Sequence, residues 1–325
     1  DLHRRRHSFP TRRSSDLYTS QVRLGVLDVG SNTIHLQVVD GHLGAPPVPN
    51  SSHKSVIRLT EYLDEAGSIT QLGIDRITDS ILTNLKSAEH LDIDELLAFA
   101  TSAIREAKNS DAVIEHVNKA CNIDLQVLSG EEEARFTFLA ARRWLGWSSG
   151  DLLVLDIGGG SLEIARGAEE DPVFKTSMQL GAGRLTRQFL KGDPFTSKSL
   201  KALEEYLEEK IDPLAASLST FEKDNAAGTS KTFRTLAKLS QNLYPKFGQH
   251  VTLEALNELL PRLQRLDVEE RMELPAVSAE RAPQIVAGAM VARQLMQTLE
   301  LKEIRICPWA LREGIVLHRL DWIER

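Results

Sequence analysis

Two short stretches carry residue types suited to handling phosphate, and one echoes the other. LDIGGGSLEI (residues 155–164) reads apolar run, aspartate, three glycines, serine, glutamate; LDVGSNTIHL (27–36) repeats the apolar run, the aspartate, a glycine and small residues before a second apolar run. In a turn through Gly158, Gly159 and Gly160 no side chain blocks approach, so backbone N–H groups can point at phosphate oxygens as an anion nest. Asp156 alone would repel a phosphate, yet it suits a Mg²⁺ ion bridging carboxylate and phosphate. One such turn is as readily a plain glycine-rich hairpin. Two copies, each with its aspartate, point to a metal–phosphate site.

The elements that must position these turns follow from periodicity and breakers. Strands are expected at 22–28, 33–39 and 54–59, a helix over 71–90, a buried strand at 95–100, a helix over 110–120, a strand at 124–128 and a helix over 131–145. The pattern then restarts, with strands at 152–156, 162–166 and 173–177, helices over 184–190 and 198–214, a strand at 224–228 and a helix over 231–239. Helices over 252–263 and 281–299, a strand at 303–307 and a last helix over 311–320 close the chain. Asp28 and Asp156 lie about one domain length apart, so one strand–turn–strand device used twice implies two like-folded α/β domains facing each other across a ligand cleft. The expected division is 21–145, completed by 308–325, against 146–307.

Composition narrows the function classes. The first twenty residues, DLHRRRHSFPTRRSSDLYTS, are basic and aperiodic; SFPTRRSSDL matches the translation of a common sequencing adapter, so 1–20 is read as a non-native tail and set aside from the fold. The tail holds five arginines and two aspartates, so the −7 of the whole chain becomes −10 for the rest. An acidic body argues against nucleic-acid binding, which relies on a basic footprint. The two cysteines are far apart, which indicates neither a disulfide framework nor a zinc site. Without an apolar run long enough to span a bilayer or the apolar centre of a signal peptide, the reading is a cytoplasmic protein with no membrane partner.

The two turns resemble the paired phosphate loops of the actin, sugar kinase and Hsp70 superfamily, and within it the chain is similar to the exopolyphosphatase/guanosine pentaphosphate phosphohydrolase family. The resemblance runs from about Val22 to Leu320. It rests on the joint order of LDVGSNT (27–33), ATSAIREAKN (100–109), SGEEEARF (129–136), LDIGGGSLE (155–163) and GTSKTFRTLA (228–237), with ERAPQIVAGA (280–289) and ALREGIVL (310–317) similar to the family's C-terminal signature. It implies two RNase H-like α/β domains with the cleft between them.

Hydrolysis of a phosphoanhydride needs an in-line water, charge neutralisation and a carboxylate to take the water's proton. SGEEEAR offers Glu131, Glu132 and Glu133 at a helix start. Ser129 as cap and Glu132 three residues on would form a capping box, which accounts for part of the acidity structurally. By resemblance the base falls on Glu133. The same resemblance places metal-site carboxylates at Asp156 and Glu163, with Asp28 a weaker third, and Mg²⁺, alternatively Mn²⁺, as cofactor; Glu163 could also be an ordinary strand residue. Arg105, just beyond a buried strand, could clamp phosphate oxygens or be a plain helix-face arginine. Ser31, Asn32, Gly159, Gly160, Ser161 and Thr229 are expected to hold phosphates. Two positions depart from the family pattern: Lys231 follows GTS where a small residue is usual, and Leu162 follows GGGS where threonine is usual. Lys231 could bind another phosphate or crowd the loop.

Arg135, Arg142, Arg143, Arg184 and Arg187 could line a groove for a repeating anion, or be solvated helix faces. With no aromatic cluster to stack a guanine, the reading is an exopolyphosphatase acting on inorganic polyphosphate. A guanosine pentaphosphate phosphohydrolase and a catalytically weak binder of such ligands are the alternatives. Homodimerisation is common for this kind of fold, and no residue demands it.

Overall fold

The computed structural model describes residues 21–220 and 225–322. The tail reading for 1–20 lies outside the described residues, as do Asp224 and the last three residues of the expected 308–325 segment.

The chain builds an α/β fold with two mixed sheets. The first holds β1 (Val22–Val29), β2 (Thr33–Gly41), β3 (Pro49–Val56), β4 (Glu95–Ala100) and β5 (Leu125–Val127) in the order β3-β2-β1-β4-β5. The second holds β6 (Leu152–Ile157), β7 (Leu162–Gly167), β8 (Phe174–Met178), β9 (Ala226–Gly228), β10 (Val251–Thr252) and β11 (Glu303–Ile306) in the order β10-β11-β9-β6-β7-β8. In both, a central strand pairs antiparallel with its hairpin partner and parallel with the strand on its other side. The repeat seen in two turns therefore extends across five strands. Register matches too: Asp28 faces His35 and Asp156 faces Glu163.

The central strands are apolar on both faces because both are covered. Leu27 and Val29 join the cluster under the helices Gln71–Ala88 and Ser110–Cys121, while Leu24 and Val26 pack with Val316 and Leu320 of the C-terminal helix Leu311–Leu320. The helix Gly130–Leu145 ties the sheets together. Its Ala134, Phe138 and Ala141 pack on Leu152, Val154 and Ala227, and its Phe136 meets Leu128 and Ile315. A Cβ at Gly314 would sit 1.9 Å from the carbonyl oxygen of Phe136, so only glycine lets the two helices approach this closely.

The strand expected at 54–59 lies instead at Pro49–Val56. PNSSHKSV is a polar edge strand, so pairing with β2 from Thr33↔Val56 onward fixes it where alternation gives no signal. Beyond its end, Ile57, Arg58 and Leu59 donate their N–H groups to the carbonyls of Asn32 and Ser31, bracing the first turn. The apolar residues that suggested a strand thus serve as a strut.

Candidate active site

Each aspartate ends a central strand, and the turn after it closes with the same bond: the Gly30 N–H donates to the Thr33 carbonyl at 3.0 Å, and the Gly158 N–H to that of Ser161 at 2.9 Å. The two turns face each other across a cavity of about 200 Å³. Asp28, Gly30, Ser31 and Asn32 line one wall and Asp156, Gly158, Gly159, Ser161 and Glu163 the other. None of the three consecutive glycines has a positive φ, so their purpose is space and not a special backbone conformation. A Cβ on Gly159 would lie 2.5 Å from Asn32 Nδ2, and one on Gly160 2.4 Å from Ser102 Oγ. The glycines let one turn nestle against the other.

The helix Gly130–Leu145 delivers one glutamate to this cavity. Ser129 and Glu132 form the reciprocal capping box, Glu131 and Glu132 point to solvent, and Glu133 is buried on the cavity wall. A Cβ on Gly130 would overlap Ser177, so the helix start is pressed onto β8. Arg105, at the end of the short helix Ser102–Arg105, donates to the Glu133 carboxylate and, at 2.8 Å, to the Leu128 carbonyl. It stands behind Glu133 and does not itself line the cavity.

Four carboxylates crowd the site, and all are raised in proton affinity. Burial, then the charge of Glu163, lifts Glu133 well above the usual carboxylate range. Burial, then Asp156, pushes Glu163 up to about 7, although Ser177 Oγ donates to it at 2.8 Å. Burial raises Asp28 against the pull of Arg312, 3.5 Å away. It raises Asp156 against the Thr229 hydroxyl, which donates at 2.5 Å. Buried oxygen ligands that repel one another are a setting for a hard divalent cation. Among the described residues no three His, Cys, Asp or Glu groups gather into a closed cage. Such a set fits an ion held by one or two carboxylates that fills its shell with water and phosphate oxygens, as Mg²⁺ does.

Other expected residues fall differently. Thr229 is fully buried, lies off the cavity wall and donates its hydroxyl to Asp156; Gly160 also lies off the wall, where its carbonyl accepts from Arg184. Leu162 points into the core of the second lobe, so the hydroxyl absent there is absent from the core and not from the cavity. Lys231 does line the cavity, paired with Glu280 at 3.2 Å. Arg142 is buried against Ser149, Gly150 and Gly167, Arg143 pairs with Glu170 and Asp321, and Arg135 lies near Asp171, so these three do not form an anion groove at the cavity. Arg184 and Arg187 join the two lobes, to Glu106 and to the Thr60 carbonyl.

Sequence reasoning assigned no role to Ser102, Thr137, Arg281 and Arg312, all on the cavity wall. The signal for the two arginines was present in the ERAPQ and ALREG blocks. Arg312 also contacts His35, whose imidazole is pushed down to about 3 by burial and neighbouring cations and is therefore neutral.

Known proteins resemble this chain along most of its length. Exopolyphosphatase 1 of Mycobacterium tuberculosis is 47% identical over 92% of this chain and 89% of its own length. The guanosine-5'-triphosphate,3'-diphosphate pyrophosphatase of Vibrio parahaemolyticus is 26% identical over 96% of this chain and 61% of its own. The crystal structure of an exopolyphosphatase from Cytophaga hutchinsonii superposes with a TM-score of 0.83 at 26% identity, covering 92% of this chain and 98% of that one. The model of the Ppx/GppA phosphatase family matches residues 37–322, and the chain belongs to that family.

Proposed function

We propose that this chain is an exopolyphosphatase that releases terminal orthophosphate from inorganic polyphosphate by hydrolysis. The observation that carries the reading is Glu133: a buried carboxylate of raised proton affinity, held by an arginine, on the wall of a cavity between two aspartate–glycine turns. The relative named Exopolyphosphatase 1 supports the same substrate class. Water attacks the terminal phosphorus while Glu133 accepts its proton; the anhydride P–O bond breaks, and the shortened chain leaves with that oxygen. Burial strengthens Glu133 as a base, and Arg105 fixes its orientation as a positioning residue.

Backbone N–H groups that the two turns do not use to close themselves, with Ser31, Asn32, Ser161, Gly159 and Lys231, hold the phosphate oxygens; the Gly158 N–H, bonded to the Ser161 carbonyl, shapes the turn instead. Asp156, with Asp28 or Glu163, would hold Mg²⁺ or Mn²⁺, which supplies charge neutralisation at those oxygens. Thr229 keeps the Asp156 carboxylate in place. In this reading the lobes are 21–145 with 308–325, and 146–307.

Orthophosphate release from medium-chain polyphosphate and from guanosine pentaphosphate, with Mg²⁺ and after chelation, tests the assignment. The expected result is release from polyphosphate that stops with chelator and returns with Mg²⁺. Faster release from guanosine pentaphosphate would move the assignment to the nucleotide, and binding without release would make the protein a sensor.

A further inference from the structure

A second cavity, of about 360 Å³, adjoins the first and shares two of its lining residues. Its wall is Lys231, Arg234, Thr235, Lys238 and Ala276. On the helix Lys231–Leu243 the four helical positions are spaced i, i+3, i+4 and i+7, so they occupy one face. At about 1.5 Å per residue, the stripe of three cations runs about 10 Å from the mouth of the active cavity outward. Among the described residues neither Arg234 nor Lys238 has a carboxylate ion-pair partner. Lys231 pairs with Glu280, which also approaches Lys54 of the other lobe at 3.7 Å. Among the described residues no acidic or aromatic side chain lines this second cavity. What it offers is cations at regular spacing and nothing on which a base could stack.

We propose that this helix face is a track for the tail of a linear inorganic polyphosphate, in which Lys231, Arg234 and Lys238 hold the phosphates behind the one being cleaved. The proposal rests on the exopolyphosphatase reading and adds to it a determinant of chain length. Glu280 neutralises Lys231 in the free protein, and a tail phosphate takes its place. Lysine after GTS, where the family pattern has a small residue, becomes the first step of the track.

Lys238→Glu is the test, with Lys201→Glu as a control, since Lys201 is exposed on the separate helix Ser197–Ile211. Tripolyphosphate is too short to fill the cavity and reach Lys238; a long chain does both. For Lys238→Glu the expected result is a KM for long-chain polyphosphate raised about threefold or more with kcat kept, and a much smaller change for tripolyphosphate. The slope of log KM against log salt for the long chain should shrink by about 0.7. Equal shifts for both substrates, or the same shift with Lys201→Glu, would overturn the track. Equilibrium binding of long-chain polyphosphate decides it independently of turnover: weaker binding by Lys238→Glu alone supports the track, and unchanged binding refutes it. Absence of orthophosphate release by the wild type would count against the activity and leave that binding result standing.

Discussion

Glu163 shows what the site demands of single residues. Its folded-state pKa of about 7 exceeds the ordinary 4.5, so between those values the folded protein holds a proton that the unfolded chain has lost. Stability therefore falls as pH rises through that window, and the cost is fully present above it. Glu163→Gln removes the cost: we expect it to match the wild type below pH 4.5 and to be more stable above pH 7 by on the order of 1 to 3 kcal/mol. Denaturant titrations at the two pH values measure this. Thermal stabilisation by Mg²⁺ should shrink in the same variant if Glu163 helps to hold the ion. Residue types were legible in the sequence here: Asp28, Asp156, Glu163 and Glu133 all reach one cavity. Their partners were less so. Thr229 bonds Asp156, and Arg105 stands behind Glu133, because a side chain's direction depends on packing that sequence spacing does not encode.

At the level of elements, the positions of most strands and helices follow from hydrophobic period, and the repeated strand–turn–strand unit foretells the repeated sheet. The misses share a cause. β3 is a polar edge strand fixed by its neighbour, and the short helix Ser102–Arg105 is a single turn with no period to read. Arg281 and Arg312 reach the cavity from segments far along the chain, brought there by tertiary packing. Close contacts between elements rest on glycines whose need only packing reveals. Gly314→Ala forces a methyl group into the Phe136 carbonyl. That overlap should destabilise the protein by about 1 to 3 kcal/mol, or more if the helices must separate. A lower Tm with Mg²⁺-supported activity retained at low temperature is the expected result; an unchanged Tm would mean that the helices shift freely.

Across the whole molecule, two arginines of the second lobe reach the first beside the cavity. Arg184 donates to the Gly160 carbonyl at 2.9 Å and pairs with Glu106, the neighbour of Arg105, while Arg187 caps the Thr60 carbonyl. Severing the first link with Arg184→Met should loosen closure over bound phosphate, raising KM several-fold, about 3- to 10-fold, with a smaller effect on kcat. Glu106→Gln should act in the same direction. The chemistry turns on the carboxylate that the lobes enclose. Orthophosphate release from medium-chain polyphosphate with saturating Mg²⁺, compared between wild type and Glu133→Gln, reads it most directly. A fall in kcat of about 10² to 10⁴ with polyphosphate binding retained is the result expected of a lost general base; release at the wild-type rate would contradict it.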